Sequence, residues 1–202
     1  FFLNNAANLL APRETPQATK KVNSAYASAS FAYQDFLYVD LTSRNDWSST
    51  LGEENRSYMY NSASVSAIIN SFIDPEQTLF NLLKIRAGYA QVGNDTDPYQ
   101  LSQTFDVPGQ GYFGLTTLSA PSIKLNPDLK PEQVTSVEFG IEGSMLGNRL
   151  NFDISVYDKE TTDMIFNVPV AAATGYQFFK ENVGKVSNKG VEITIGGRLI
   201  QN

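Results

Sequence analysis

The sequence predicts an all-β, antiparallel, up-and-down transmembrane β-barrel segment: about seven strands of a larger barrel, with long extracellular loops. Three observations predict it. Apolar residues recur at every second position in seven separate stretches. Short and long connections alternate between those stretches. The apolar side of each stretch carries Ala, Val, Ile, Leu and Phe without charge, as a lipid-facing band demands, because a charge at the bilayer midplane costs roughly 2–4 kcal/mol.

The clearest pattern runs from Glu132 to Asp158. Val137, Phe139, Ile141 and Met145 alternate with Ser136, Glu138, Glu142 and Ser144. Leu146-Gly147-Asn148-Arg149 then signals a tight turn, and Leu150, Phe152, Ile154 and Val156 alternate with Asn151, Asp153 and Ser155. Side chains on a strand point to opposite faces with period two, so this is a β-hairpin with one apolar and one polar face. Each arm has about the ten residues that a tilted strand needs to cross a bilayer.

The other elements follow the same rule. Residues 1–20, with Pro12 and Pro16, read as the tail of a loop. The first strand spans Val22 to Tyr33, a turn falls at Gln34-Asp35, and the second strand carries Leu37, Val39 and Leu41 against Tyr38, Asp40, Thr42 and Arg44. Asn45 to Asn55 is polar and reads as a loop that holds Trp47, packed at the outer rim. The third strand spans Ser57 to Ile68, Asn70 to Thr78 is a turn or short helical start, and the fourth spans Leu82 to Val92. Gly93 to Pro131 is a long irregular stretch with room for short strands, and the central hairpin supplies strands five and six. Lys159 to Asn188 is a second long stretch, and the seventh strand starts near Gly190. Tyr33 and Phe36 beside a turn, and Tyr157 at an outer end, fit interfacial aromatic girdles.

Composition narrows the chemistry. A net charge of −6 over 202 residues argues against nucleic acid as a partner. The absence of His and Cys removes Ser-His-Asp and Cys-His catalysis and the usual zinc ligand sets, so the chain reads as a non-enzyme without cofactors. Glu138 and Glu142 share a strand face with Asp153 nearby, but they read as polar lumen residues in preference to a glycosidase pair. Asn94-Asp95-Thr96-Asp97 lacks the sixth-position Gly and closing Glu of a calcium loop and reads as a turn. Gly109, Gly111 and Gly114 form no phosphate loop, because no Lys-Ser/Thr follows them. Met164 to Ala173 fits a loop strand or a partner contact, with Pro169 opposing a central strand. Lys84, Arg86, Glu138, Glu142, Asp153 and Glu192 fall on polar faces and are expected to line a lumen. Trp47, Tyr99, Tyr112, Phe113, Tyr176, Phe178 and Phe179 are candidate substrate or partner contacts in the loops, and a small core under the loops is the competing account.

Four segments carry a family resemblance: SRNDWSSTL at 43–51, LLKIRAGYAQVGNDTDPYQL at 82–101, LNPDLKPEQVTSVEFGIEGSMLGNRLNFDISVYDKETTDMI at 125–165, and ENVGKVSNKGVEITI at 181–195. In content and order they resemble the SusC/RagA family of TonB-dependent outer-membrane transporters. The resemblance implies a 22-stranded barrel with a plugged lumen in the outer membrane of a Gram-negative bacterium. It implies import of oligosaccharides or peptides, a SusD-like surface lipoprotein as a lid, and energy from the TonB complex through parts of the protein outside this segment. Residues 1–202 would then be a partial barrel domain from the C-terminal half, without plug, TonB box or closing C-terminal strand. Seven strands cannot close such a barrel, and open edges are not viable in lipid. The rival reading is a soluble, secreted β-sandwich that binds glycans; it predicts the uncharged face inward, whereas a barrel presents it outward.

Overall fold

The fold comes from a computed structural model, which describes residues 18–73, 76, 79–107, 115 and 117–198. Seven antiparallel strands form one sheet in the order β1-β2-β3-β4-β6-β7-β10: β1 Val22–Tyr33, β2 Leu37–Ser48, β3 Ser57–Ile68, β4 Phe80–Asn94, β6 Glu132–Met145, β7 Leu150–Thr162 and β10 Lys185–Gly197. Three further strands among the described residues, β5 Ile123–Lys124, β8 Ile165–Pro169 and β9 Phe178–Asn182, make a small sheet in the order β5-β9-β8 within the long connections. Every strand of the large sheet pairs with its neighbour in the chain once the small sheet is set aside, which is up-and-down topology.

All the tight connections lie at one end. Gln34 and Asp35 both take left-handed backbone (φ 46° and 56°) in a short turn that Phe36 N closes by donating to Tyr33 O at 3.2 Å. Leu146, Gly147 and Asn148 also take left-handed backbone at the second hairpin. The single helical turn α1, Asn70–Ile73, joins β3 to β4 at this end, where the Phe36 ring meets Tyr33 and Phe72 edge-on at 5.7 and 5.3 Å. The described residues of the connections 49–56, 95–131 and 163–184 lie at the other end.

Strand boundaries expected from alternation need correction at that long-loop end. β2 continues through Trp47 to Ser48, so Trp47 belongs to a strand, not a loop. β4 reaches Asn94, β7 reaches Thr162, and β10 begins at Lys185 rather than near Gly190. The stretch from Met164 holds an edge strand, β8, with Pro169 as its last residue. The reason is physical: beyond the lipid both faces of a strand are wet, so the backbone goes on pairing while the apolar alternation stops.

Among the described residues no second layer covers the apolar face. Phe31, Phe139, Val191, Ile193 and Ile195 on that face are each at least 57% exposed. Among the described residues the buried apolar side chains are Leu51, Leu83 and Leu129. A sandwich would have buried this face against another sheet, so that reading is set aside.

Candidate functional site

The two faces of the sheet are its functional surfaces, and strand register defines both. On the apolar face, Tyr33, Leu37, Ala67, Ile85, Ile141, Ile154 and Ile193 form one hydrogen-bonded row. Phe31, Val39, Val65, Ala87, Phe139, Val156 and Val191 form the next. Toward the long loops the band ends along a diagonal. On β10 it stops at Val191, below Lys189; on β1 it runs six residues beyond that row, from Phe31 to Ala25. Six residues rise about 20 Å, and six strand spacings span about 29 Å, so the band is level when the strands tilt by about 35°. That is the tilt of an outer-membrane barrel.

The expectation of an uncharged outward face is corrected above this border. Asp158, Glu160, Lys185 and Lys189 share the outward face, where Lys189 pairs with Asp158 at 2.7 Å and Lys185 with Glu160 at 2.6 Å. They stand beyond the apolar band, where water or headgroups solvate them. Trp47 also points outward at this end, in register with Asn23 and Ser57 and 41% exposed. Tyr157 does not join a girdle. It lies inside β7 on the polar face, directly opposite Gly190, and its ring fills the space that a Cβ there would need.

The polar face divides into two halves. On β4, β6 and β7 the charged side chains link up. Lys84 pairs with Glu142 at 2.7 Å. Arg86 donates to both carboxylate oxygens of Asp153, at 2.9 and 2.8 Å, and lies 3.5 Å from Glu138. It reaches Asp153 across β6 because Gly140, its direct partner, has no side chain. Glu192 shares that hydrogen-bonded row through Ser155.

On β1 to β3 the same face is lined mainly by short hydroxyls: Ser28, Ser30, Thr42, Ser62, Ser64 and Ser66. Thr42 and Ser62 share a hydrogen bond of 2.6 Å, and Ser30 donates to Asp40 at 2.6 Å. Higher up, Asp46 is buried and organises a cluster. It accepts from Arg44 Nε at 2.8 Å and from the Tyr60 hydroxyl; Arg44 also donates to Ser24 at 2.9 Å and lies 5.9 Å over the Tyr60 ring. Tyr58 stacks beside Tyr60.

Above the strands, Asp95 ties the rim together by accepting from Lys20, Ser48 and Thr50. Burial pushes its pKa up, but the bonds from Lys20, Ser48 and Thr50 outweigh burial and hold the carboxyl below its ordinary range. Leu129 is fully buried beside the turn that Asn126 forms with Asp128 N at 3.0 Å, and Asn182 holds Lys130 through both its backbone groups. The Asp95 and Asp46 clusters escaped sequence reasoning. The available signal was polar alternation continuing through Arg44, Asp46, Ser48 and Thr50.

Among the described residues no ring contact joins one of the loop aromatics to another. Tyr99 sits on left-handed backbone and is 71% exposed. Phe178 and Phe179 open β9, with Lys124 Nζ 5.6 Å from the Phe179 ring, and Tyr176 is half-buried just before them. Tyr112 and Phe113, with Gly109, Gly111 and Gly114, lie outside the described residues.

A model of the TonB dependent receptor-like β-barrel matches residues 2–201. The chain belongs to that family. It is 31% identical over 183 residues to TonB-dependent receptor P26 of Formosa agariphila, covering 87% of this chain and 18% of that protein. It is 25% identical to TonB-dependent receptor SusC of Bacteroides thetaiotaomicron, covering 93% of this chain and 20% of SusC. Among solved structures it superposes on the RagAB peptide importer in its closed-closed state with a TM-score of 0.83 and 25% identity, covering 100% of this chain and 22% of that one. The chain thus spans about a fifth of the length of these relatives, and its resemblance to the SusC/RagA type rests on both SusC and RagAB. Proteins of this family are outer-membrane proteins of Gram-negative bacteria.

Proposed function

We propose that this chain is part of the barrel wall of an outer-membrane TonB-dependent transporter that imports oligosaccharides or peptides together with a SusD-like surface lipoprotein. The diagonal apolar band carries this reading: it suits a tilted strand array in lipid and leaves the opposite face for a lumen. The likeness to SusC and to the RagAB importer supports the class of activity. The work is binding and gated passage, without bond chemistry. Lys84, Arg86, Glu138, Glu142, Asp153 and Glu192 line the lumen in this reading. Tyr99, Tyr112, Phe113, Tyr176, Phe178 and Phe179 are assigned to loop contacts with substrate or lid, and Trp47, which points outward, to the lipid boundary. Plug, TonB box and closing strand belong to other parts of the parent protein.

The test is uptake by cells that carry the full-length parent. Accumulation of oligosaccharide or peptide that stops when a protonophore collapses the inner-membrane gradient, with a surface lipoprotein copurifying in detergent, is the expected result. A parent that fractionates as a soluble protein, or uptake indifferent to the gradient, refutes the reading.

A further inference from the structure

We infer that the line between β3 and β4 is a hinged seam in the wall, which opens the extracellular mouth when the Tyr58 ring leaves Gly93; this goes beyond the transporter reading above and rests on its barrel wall. The two strands pair from Ile68 with Lys84 up to Ser62 with Ala90, and there they part. Both continue. β3 stays bonded to β2 as far as Trp47 with Ser57, and β4 stays bonded to β6 as far as Asn94 with Glu132. Above Ser62 and Ala90 the sheet therefore divides into two staves, β1 to β3 on one side and β4, β6, β7 and β10 on the other. The parting lies inside the sheet, with paired strands on both sides of it. It also starts at the lipid border. From Val191 on β10 that border climbs one residue per strand, to Ala90 on β4 and Asn61 on β3. Below the border unpaired backbone groups are not viable; above it water satisfies them.

Side chains close what the backbone leaves open. The Tyr58 ring lies against Gly93, where a Cβ would come within 2.7 Å of its Cδ2, and Tyr60 stacks beside it with ring centroids 6.1 Å apart. Tyr60 is itself tied to Asp46 on its own stave. A cavity of about 200 Å³ adjoins the rings, lined from one stave by Ser57 and Met59 and from the other by Gly93, Pro131 and Gln133, so Tyr58 has space to turn into. Above the rings the staves meet again through side chains. Asp95, just past β4, accepts from Ser48 at the end of β2 and from Thr50 beyond it, and Asn55 Nδ2 donates to the Asp128 carbonyl at 3.2 Å. A ring contact and a few side-chain bonds hold less firmly than a continuous ladder of backbone bonds. The seam is thus the line along which this stretch of wall yields first, and the paired strands below Ser62 and Ala90 are its hinge.

The experiment measures spin-label distances by pulsed electron paramagnetic resonance on the full-length parent in detergent. One pair of labels replaces Asn45 on β2 and Thr162 on β7, above the parting; a second pair replaces Val39 and Val156 on the same strands, below it. Each pair spans four strand spacings, about 19 Å. Tyr58→Ala, and Gly93→Val by displacing the ring, should each lengthen the upper distance by about 5 Å, one strand spacing, and leave the lower distance unchanged. Tyr58→Phe should keep the upper distance, since the ring remains. Heat-modifiable migration reports whether each variant is folded, and where one of the two opening variants fails to fold the other decides. An upper distance that neither variant lengthens, or a lower distance that lengthens as much as the upper, overturns the seam and leaves the transporter reading standing. Absence of gradient-dependent uptake by the parent would instead defeat the transporter reading, while a lengthened upper distance still upholds the seam.

Discussion

Arg86 grips Asp153 from two strands away, and it does so over Gly140. The guanidinium lies where a Cβ on Gly140 would be, 2.6 Å from its Cζ, and both of its terminal nitrogens bond the carboxylate. One small residue thus lets a single cation tie β4 to β7 across β6.

Gly140→Val should therefore act like Arg86→Ala. Each removes the clamp and leaves Asp153, Glu138 and Glu142 with less positive charge beside them. We expect each to lower the melting temperature of the detergent-solubilised parent by a few degrees, and the double variant to add little further. Additive losses would mean that Gly140 matters for another reason.

The two faces of one strand should respond oppositely to charge. Phe139→Arg places a cation in the middle of the apolar band and is expected to cost roughly 2–4 kcal/mol. Ser136→Arg, on the polar face of the same strand, should be tolerated. Heat-modifiable migration on gels reports the folded fraction of each variant.

Spin labels give a direct reading of the same surface. Labels replacing Phe139 and Ile193 should relax with oxygen dissolved in lipid. A label at Lys159, on the polar face, or at Lys189, beyond the band, should relax with a water-soluble nickel chelate. A nickel-accessible Ile193 would place the border of the band wrongly.

Asp95 makes the rim sensitive to acid. Its folded pKa lies below the ordinary value of 3.8, so the stabilisation is complete above that value and is lost as pH falls through the folded pKa. Amide protection in residues 49–56, measured against the intrinsic exchange rate at each pH, should fall below about pH 4. Asp95→Asn should show fast exchange there at neutral pH and no further acid response.

Seven strands, the hairpin turn at Leu146 to Arg149 and the separation of faces were legible in the residues, because lipid on one side and water on the other impose a period of two. Val22–Tyr33 and Ser57–Ile68 end where alternation said they would. The remaining features emerge from strand pairing. Register across six strand pairs showed that the band is diagonal, that Arg86 meets Asp153, and that Asp158 and Glu160 on the outward face have Lys189 and Lys185 beside them. None of these pairs is close in sequence. The strand ends beyond the lipid were hidden for a related reason: with water on both faces, hydrogen bonding continues to hold the strands, and the side chains no longer need to declare which way they point.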